Sequence, residues 1–333
     1  MSGDLAMSVK LLDHESVVPY LLQRNVISTT DGLVVEELSG GVSNVVLGVK
    51  NREADLVLKQ ALAELKVATK WVADQKRAIV EARAVQLFHS ISPTNVPALL
   101  DYDPEKFTLV IERAPRTSRV WKTELLAGHI NPSIGSSLGE ILATWHRFGA
   151  TSQDVAAQFA EDSLFDQLRI DPFYREISKK NPGLSERLDS LIAELKDRKE
   201  TIVHGDFSPK NFLVDQDRDV YILDFEVAHY GNPVFDQAFV LAHLLCKFFR
   251  TQVSAEQSGL RETAKRFLES YHVTMQRSLD ASLPLHVAAI ALARVEGKSR
   301  VDYLDEMAEE ALKSTTKRAL SSSLPIEPLA LFN

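Results

Sequence analysis

One stretch constrains this chain more than any other. Residues 201–224, TIVHGDFSPKNFLVDQDRDVYILD, interrupt a half that otherwise reads as helix. They contain two short strand candidates, Asn211–Asp215 and Val220–Leu223, around an acidic turn. On either side, Ser133–Phe148, Leu184–Lys199, Asp236–Phe249, Ser258–Gln276 and Leu285–Glu296 show helical periodicity. The first third has a different texture. After a helix-like Val9–Gln23, β-rich runs fall at Leu33–Leu38, Asn44–Val49 and Leu56–Lys59, separated by Ser39-Gly40-Gly41 and Asn51-Arg52-Glu53. A helix over Lys76–His89 follows, with Ile79, Ala82, Val85 and Leu87-Phe88 as its apolar face. Two more strand candidates, Ala98–Tyr102 and Phe107–Glu112, flank Asp103-Pro104-Glu105-Lys106. Arg113-Ala114-Pro115-Arg116 reads as a connector, because proline restricts the residue before it. The pattern predicts an α+β, bilobal fold: a β-rich N-terminal lobe over 1–113 and a mainly helical C-terminal lobe over 114–333. Ligand sites of such folds commonly lie in the cleft between lobes.

Composition narrows the function classes. At roughly 100–200 residues per domain, 333 residues suggest two domains or one two-lobed unit. The chain is 45% hydrophobic and 25% charged, the balance of an ordinary globular protein. Lys plus Arg total 38 against 46 Asp plus Glu, a formal net charge of -8. Nonspecific binding to nucleic acid or anionic membrane surfaces therefore has little electrostatic support. The one cysteine, Cys246, closes no intramolecular disulfide and reads as a buried small hydrophobe. No apolar run approaches the ~20 residues of a membrane span, and the N-terminus lacks a secretory core. A cytoplasmic enzyme or binding protein is the expectation.

The chemistry is concentrated in His204-Gly205-Asp206-Phe207-Ser208-Pro209-Lys210-Asn211, followed thirteen residues later by Asp224-Phe225-Glu226. This is the H-x-D-x-x-x-x-N spacing of a phosphotransferase catalytic loop with a metal-binding aspartate beyond a hairpin. Phosphoryl transfer spreads negative charge over the γ-phosphate oxygens, and Mg²⁺ bridges them. Magnesium takes hard oxygen ligands, which Asn211 and Asp224 supply. Asp206 is left to orient the acceptor hydroxyl and accept its proton.

On these residues the chain resembles the kinase-like phosphotransferases, which include aminoglycoside phosphotransferases, choline kinases and methylthioribose kinases. HGDFSPKN at 204–211 and ILDFEVAHYGNPVFDQAF at 222–239 carry the resemblance, with SGGVSNVVLGVK at 39–50 and LVLKQAL at 56–62. The last of these looks most like the methylthioribose kinases. The likeness spans about 40–240 and implies a protein-kinase-like fold, ATP and Mg²⁺ as cofactors, and a small-molecule hydroxyl acceptor. It implies further roles. Lys59 would hold the α- and β-phosphates, with Glu81 as its partner acid; Glu64 competes but follows the strand too soon. The turn Ser39–Asn44, including Ser43 and Asn44, would cover the nucleotide phosphates with backbone N–H groups. Glu112 to Ala114 would offer backbone hydrogen bonds to adenine, and Glu226 would add a second carboxylate for metal. Lys210 would reach a phosphate or point to solvent.

The departures are informative. The phosphate loop is not G-x-G-x-x-G, and Glu226 replaces the glycine of the protein-kinase D-F-G, so a protein kinase is disfavoured. Gly297-Lys298-Ser299 imitates the end of a P-loop, but Leu292 occupies the required glycine position. The nine histidines have no zinc spacing. His204 reads as a structural brace, and Asp236 as a helix cap or a partner of the catalytic loop.

For the acceptor, a sugar, an amino alcohol or an aminoglycoside-like compound remains open. Segment 151–200 has 8 Lys/Arg against 11 Asp/Glu, short of the acidity a polycation needs. Tyr230, Phe235 and Phe239 offer an aromatic cage or simply core. Arg294 and Lys298 face either an anionic acceptor or solvent. The rival reading is a pseudokinase that binds nucleotide without turnover; intact Lys59, Asp206, Asn211 and Asp224 speak against it.

Overall fold

The computed structural model describes residues 10–38, 43–64, 74–215 and 220–333. The Ser39-Gly40-Gly41 turn and most of the acidic turn before Val220 lie outside them. Two compact units divide the chain after Arg116.

The first unit is built on a five-stranded antiparallel sheet. Its strands are β1 (Val34–Glu37), β2 (Asn44–Lys50), β3 (Asp55–Ala61), β4 (Leu99–Asp103) and β5 (Thr108–Glu112), in the order β1-β2-β3-β5-β4. The central strand β3, DLVLKQA, is buried along almost its whole length. Strand alternation sends Leu56 and Leu58 to one face, where they pack with Val17, Tyr20 and Leu21 of α1 (Val17–Gln23). That helix is shorter than its periodicity suggests, because Asp13 Oδ1 accepts from Ser16 N–H at 2.9 Å and turns the chain there. Lys59 points to the opposite face, towards Glu81 of α2 (Arg77–Ile91). Gln60 is fully buried and satisfied by Leu12 N–H (2.7 Å) and the Lys106 carbonyl (3.1 Å).

The second unit opens with β6 (Arg119–Val120), α3 (Trp121–Leu126), α4 (Ser133–Ala150), α5 (Gln153–Gln158) and α6 (Ser163–Phe165). A π-helical segment, Asp166–Arg175, leads into α7 (Glu176–Lys180) and α8 (Ser185–Asp197). Four short strands follow: β7 (Thr201–Val203), β8 (Phe212–Val214), β9 (Val220–Ile222) and β10 (His229–Gly231). The rest is α9 (Val234–Arg250), α10 (Ser254–Met275), α11 (Leu283–Glu296) and α12 (Glu306–Ser321). β8 and β9 form the expected hairpin, with β6 beside β8, and β10 pairs with β7. The architecture is α+β and protein-kinase-like, as expected.

Backbone proximity sets the helix packing. A Cβ at Gly135 or Gly139 of α4 would lie 2.3 Å from the Thr263 carbonyl or 2.4 Å from that of Phe267, both on α10. The C-terminal tail docks: Leu331 and Phe332 are buried, and Phe332 meets Phe248 at 5.6 Å. Cys246 is a buried free thiol. Among the described residues no helix is long and apolar enough to cross a membrane.

Candidate active site

Strand β7 delivers the chain into the 204–211 loop, and a buried carboxylate fixes its entry. Asp236 accepts from the backbone N–H of His204 (2.7 Å) and of Gly205 (2.9 Å). Burial acts to raise its pKa, but the bond with His146 (3.3 Å) and the adjacent donors outweigh that and hold it low. Asp236 therefore serves the loop. It does not cap α9, whose N-cap position is Pro233. Gly205 has φ +76°, and a Cβ there would stand 2.6 Å from the Val227 carbonyl, so glycine is required.

His204 braces the loop. The Asp206 N–H donates to its Nδ1 (3.1 Å), so, by assignment from these contacts, Nε2 carries the proton and donates to the Leu223 carbonyl (3.2 Å). Burial lowers its pKa, and it stays neutral. The loop is also clamped by rings: His204 lies 4.7 Å from Phe225, Phe207 4.6 Å from Phe212, and Trp145 packs on both Phe207 and Phe225.

Asp206 is only 2% exposed. Its carboxylate meets Lys210 Nζ at 2.8 Å and Arg169 Nη2 at 3.1 Å, and accepts from Ser208 Oγ at 3.3 Å. Burial pushes its pKa up, but the charges of Lys210 and Arg169 prevail, and the group is held below its ordinary value. Such an ionised carboxylate is a hydrogen-bond acceptor and a positioning group before it is a strong base. Lys210 is exposed yet engaged, since it also approaches Asp224 at 3.9 Å. Arg169 escaped sequence reasoning: it lies in the π-helical segment, which breaks helical periodicity around Pro172. It also donates to the Gly205 carbonyl at 2.6 Å.

Asn211 donates its side-chain nitrogen to the Asp206 carbonyl at 2.9 Å, which leaves its Oδ1 as an oxygen ligand. The Leu223 N–H closes the hairpin on the Asn211 carbonyl at 2.9 Å. Asp224 follows with φ +72°, a left-handed conformation that a non-glycine residue adopts at a cost. A carboxylate oxygen of Asp224 lies within 4.8 Å of one of the buried Glu226. Two carboxylates and an amide oxygen are the hard donors that Mg²⁺ takes, so the residues fit the ion.

In the first unit, Lys59 pairs with Glu81, and both are buried; Glu64 is exposed. Asn44 donates to Ser43 Oγ (3.0 Å), and both side chains are buried. Arg77, fully buried and missed by sequence reasoning, donates to the carbonyls of Ser43 (2.5 Å) and Leu62 (2.7 Å) and so ties Ser43 to the residue that follows β3. The Glu112 N–H is taken by the Ala98 carbonyl (2.9 Å) and that of Arg113 by Asp55 (3.1 Å). The N–H of Ala114 has no partner among the described residues.

The aromatic cage does not assemble. The Tyr230 hydroxyl donates to the Glu200 carbonyl (3.0 Å), and Phe235 is packed between Phe165 and Phe239. Lys298 is exposed on Asp171 at 2.6 Å, whereas Arg294 is half-buried over the Phe173 ring.

Fold and loop together define a phosphotransferase of the protein-kinase-like class. The sequence model of the phosphotransferase enzyme family matches residues 34–277, and the chain belongs to that family. It is similar to the methylthioribose kinase of Bacillus cereus (strain G9842), with 26% identity over 284 residues covering 78% of this chain and 69% of that one. Among solved structures, it is similar to a choline kinase from Cryptosporidium parvum Iowa II (TM-score 0.55, 16% identity, covering 96% of this chain and 100% of that one). It is also similar to an amicoumacin kinase in complex with AMP-PNP and Ca²⁺ (TM-score 0.54, 16% identity, 95% and 98% covered). By class it is a phosphotransferase.

Proposed function

We propose that the protein transfers the γ-phosphate of ATP, with Mg²⁺, to a hydroxyl group of a small molecule. The observation that carries this reading is the Asp206 carboxylate, buried yet held ionised by Lys210 and Arg169. Asp206 accepts a hydrogen bond from the acceptor hydroxyl, aims its oxygen, and takes up its proton as the new phosphate ester forms. Asn211, Asp224 and Glu226 hold the metal, which when bound neutralises charge on the phosphate oxygens. In the first unit Lys59, steadied by Glu81, takes phosphate charge. Ser43 and Asn44 shape the turn whose backbone covers the phosphates, and the Glu112–Ala114 strand end meets adenine, with the Ala114 N–H as the available donor. On this reading the N-terminal lobe binds nucleotide and the C-terminal lobe carries catalysis and the acceptor.

The test separates binding from chemistry. Replacing Asp206 by Asn should lower turnover by about 10²–10⁴-fold while nucleotide affinity stays nearly intact. Asp224→Ala should instead weaken Mg-nucleotide binding. Unchanged turnover in Asp206→Asn would refute the assignment. No member of the set is missing, so a nucleotide-binding scaffold without turnover has no observation of its own.

A further inference from the structure

Two basic side chains of the second unit, Lys247 and Arg294, have no carboxylate partner among the described residues. Lys247, on α9, is 2% exposed. Its Nζ meets only neutral groups: the His243 carbonyl (3.2 Å), the Tyr303 hydroxyl (3.4 Å) and the face of the Tyr303 ring (5.2 Å). Arg294, on α11, lies over the Phe173 ring at 5.6 Å and donates through Nη1 to Ser299 Oγ at 2.9 Å. Its Nε is buried without a partner, and its Nη2 donates no hydrogen bond among the described residues. The acids nearby are engaged elsewhere, Asp171 with exposed Lys298 (2.6 Å) and Asp302 with Lys122 (3.7 Å). Burying charge without a counter-charge is costly, and structures normally avoid it.

This pair is joined to the catalytic loop by a floor of rings. Arg169, which bonds Asp206, lies 5.6 Å over Phe239. Phe239 is 5.6 Å from Phe173, beneath Arg294, and 5.2 Å from His243, one turn before Lys247 on α9. The charges of Asp206 and Arg169 both act on Arg294, and that of Arg294 acts on Lys247. A quaternary ammonium or a polycationic aminoglycoside would meet like charge on this floor. An oxyanion would supply the missing partner.

We propose that Arg294 seats an anionic group of the acceptor, so that the substrate is an alcohol bearing a carboxylate or phosphate. This rests on the phosphotransfer reading above.

The experiment measures ATP consumption with Mg²⁺ over matched acceptors: D-glycerate and D-gluconate, glycerol 3-phosphate and ribose 5-phosphate, then glycerol, ribose, methylthioribose, choline and ethanolamine. The expected result is a kcat/KM at least tenfold higher for an anionic acceptor than for its neutral counterpart. The first two compounds against the next two tell carboxylate from phosphate. Arg294→Ala should raise KM for that acceptor roughly 10- to 100-fold with a smaller change in kcat, and Arg294→Lys should recover part of it. If Arg294→Ala does not fold, the charged-against-neutral comparison on the natural protein decides. Equal use of neutral or cationic alcohols, no use of any anionic one, or an Arg294→Ala KM within twofold would overturn the proposal. A Mg-ATP titration in parallel separates the two claims: bound nucleotide with neutral acceptors consumed sinks only the anionic substrate class, whereas absent binding sinks phosphotransfer itself.

Discussion

Burial at Asp206 and Lys247 has opposite consequences because their neighbours differ. Asp206 is flanked by two cations and remains charged despite desolvation. Lys247 is flanked by neutral groups and by the charges of Lys122, Arg294 and Arg250, so burial brings it down to about 7, with Cys246 the counteracting influence. The sign for stability follows. Between about pH 7 and the ordinary lysine range the unfolded chain holds a proton that the folded chain has released, so this group makes stability rise with pH across that window and adds no slope below it. Lys247→Met should flatten the rise and be more stable than the natural protein at pH 7. Melting temperatures at pH 7, 8 and 9 check this, and parallel profiles for the two proteins would contradict it. At this scale legibility in the sequence was uneven. Lys59 and Glu81 were named together because the resemblance to the kinase-like phosphotransferases implies such a pair, and the two side chains do pair. Arg169 and Arg77 were not, because both act mainly on backbone carbonyls, which no side-chain spacing encodes.

Between elements, small residues set how closely backbones approach. The α4–α10 pair is tight because Gly135 and Gly139 leave room for the carbonyls of Thr263 and Phe267. Gly139→Ala should destabilise by about 1–3 kcal/mol through overpacking, although alanine is the better helix former. That corresponds to a fall in melting temperature of roughly 2–4 °C per kcal/mol. An unchanged melting temperature would show that the helices separate at little cost. Helices α4, α8, α9, α10 and α11 were legible to within a few residues because their apolar stripes are long. The π-helical segment and the three-residue strands β7 and β10 were not. A proline inside one and the shortness of the others leave no period to read. Helix α12 was also missed: its buried stripe is Ala308, Leu312, Thr316 and Ala319, too polar and too small to stand out.

For the whole chain, the net charge of -8 describes the surface, while the helical unit keeps Arg169, Lys210, Lys247 and Arg294 along one aromatic floor and catalytic loop. On the proposed reading an acidic protein serves anionic small molecules, because recognition is decided locally, where desolvation strengthens each electrostatic interaction. The α+β class was legible from the change of texture along the chain, and the 204–211 loop beside the β8–β9 hairpin from eight adjacent residues. Of the proposed acceptor side, Arg294 was singled out in the sequence but Lys247 and Arg169 were not, because α9, α11 and a broken helix meet only in the folded state. The most direct measurement of the central claim is phosphorus NMR of the protein with Mg-ATP and the acceptor panel. The account predicts that the ATP γ signal gives way to ADP and a phosphomonoester coupled to carbinol protons, and that Asp206→Asn forms this product at least about 100-fold more slowly. ATP left intact by every acceptor, or converted only to ADP and inorganic phosphate, would contradict it.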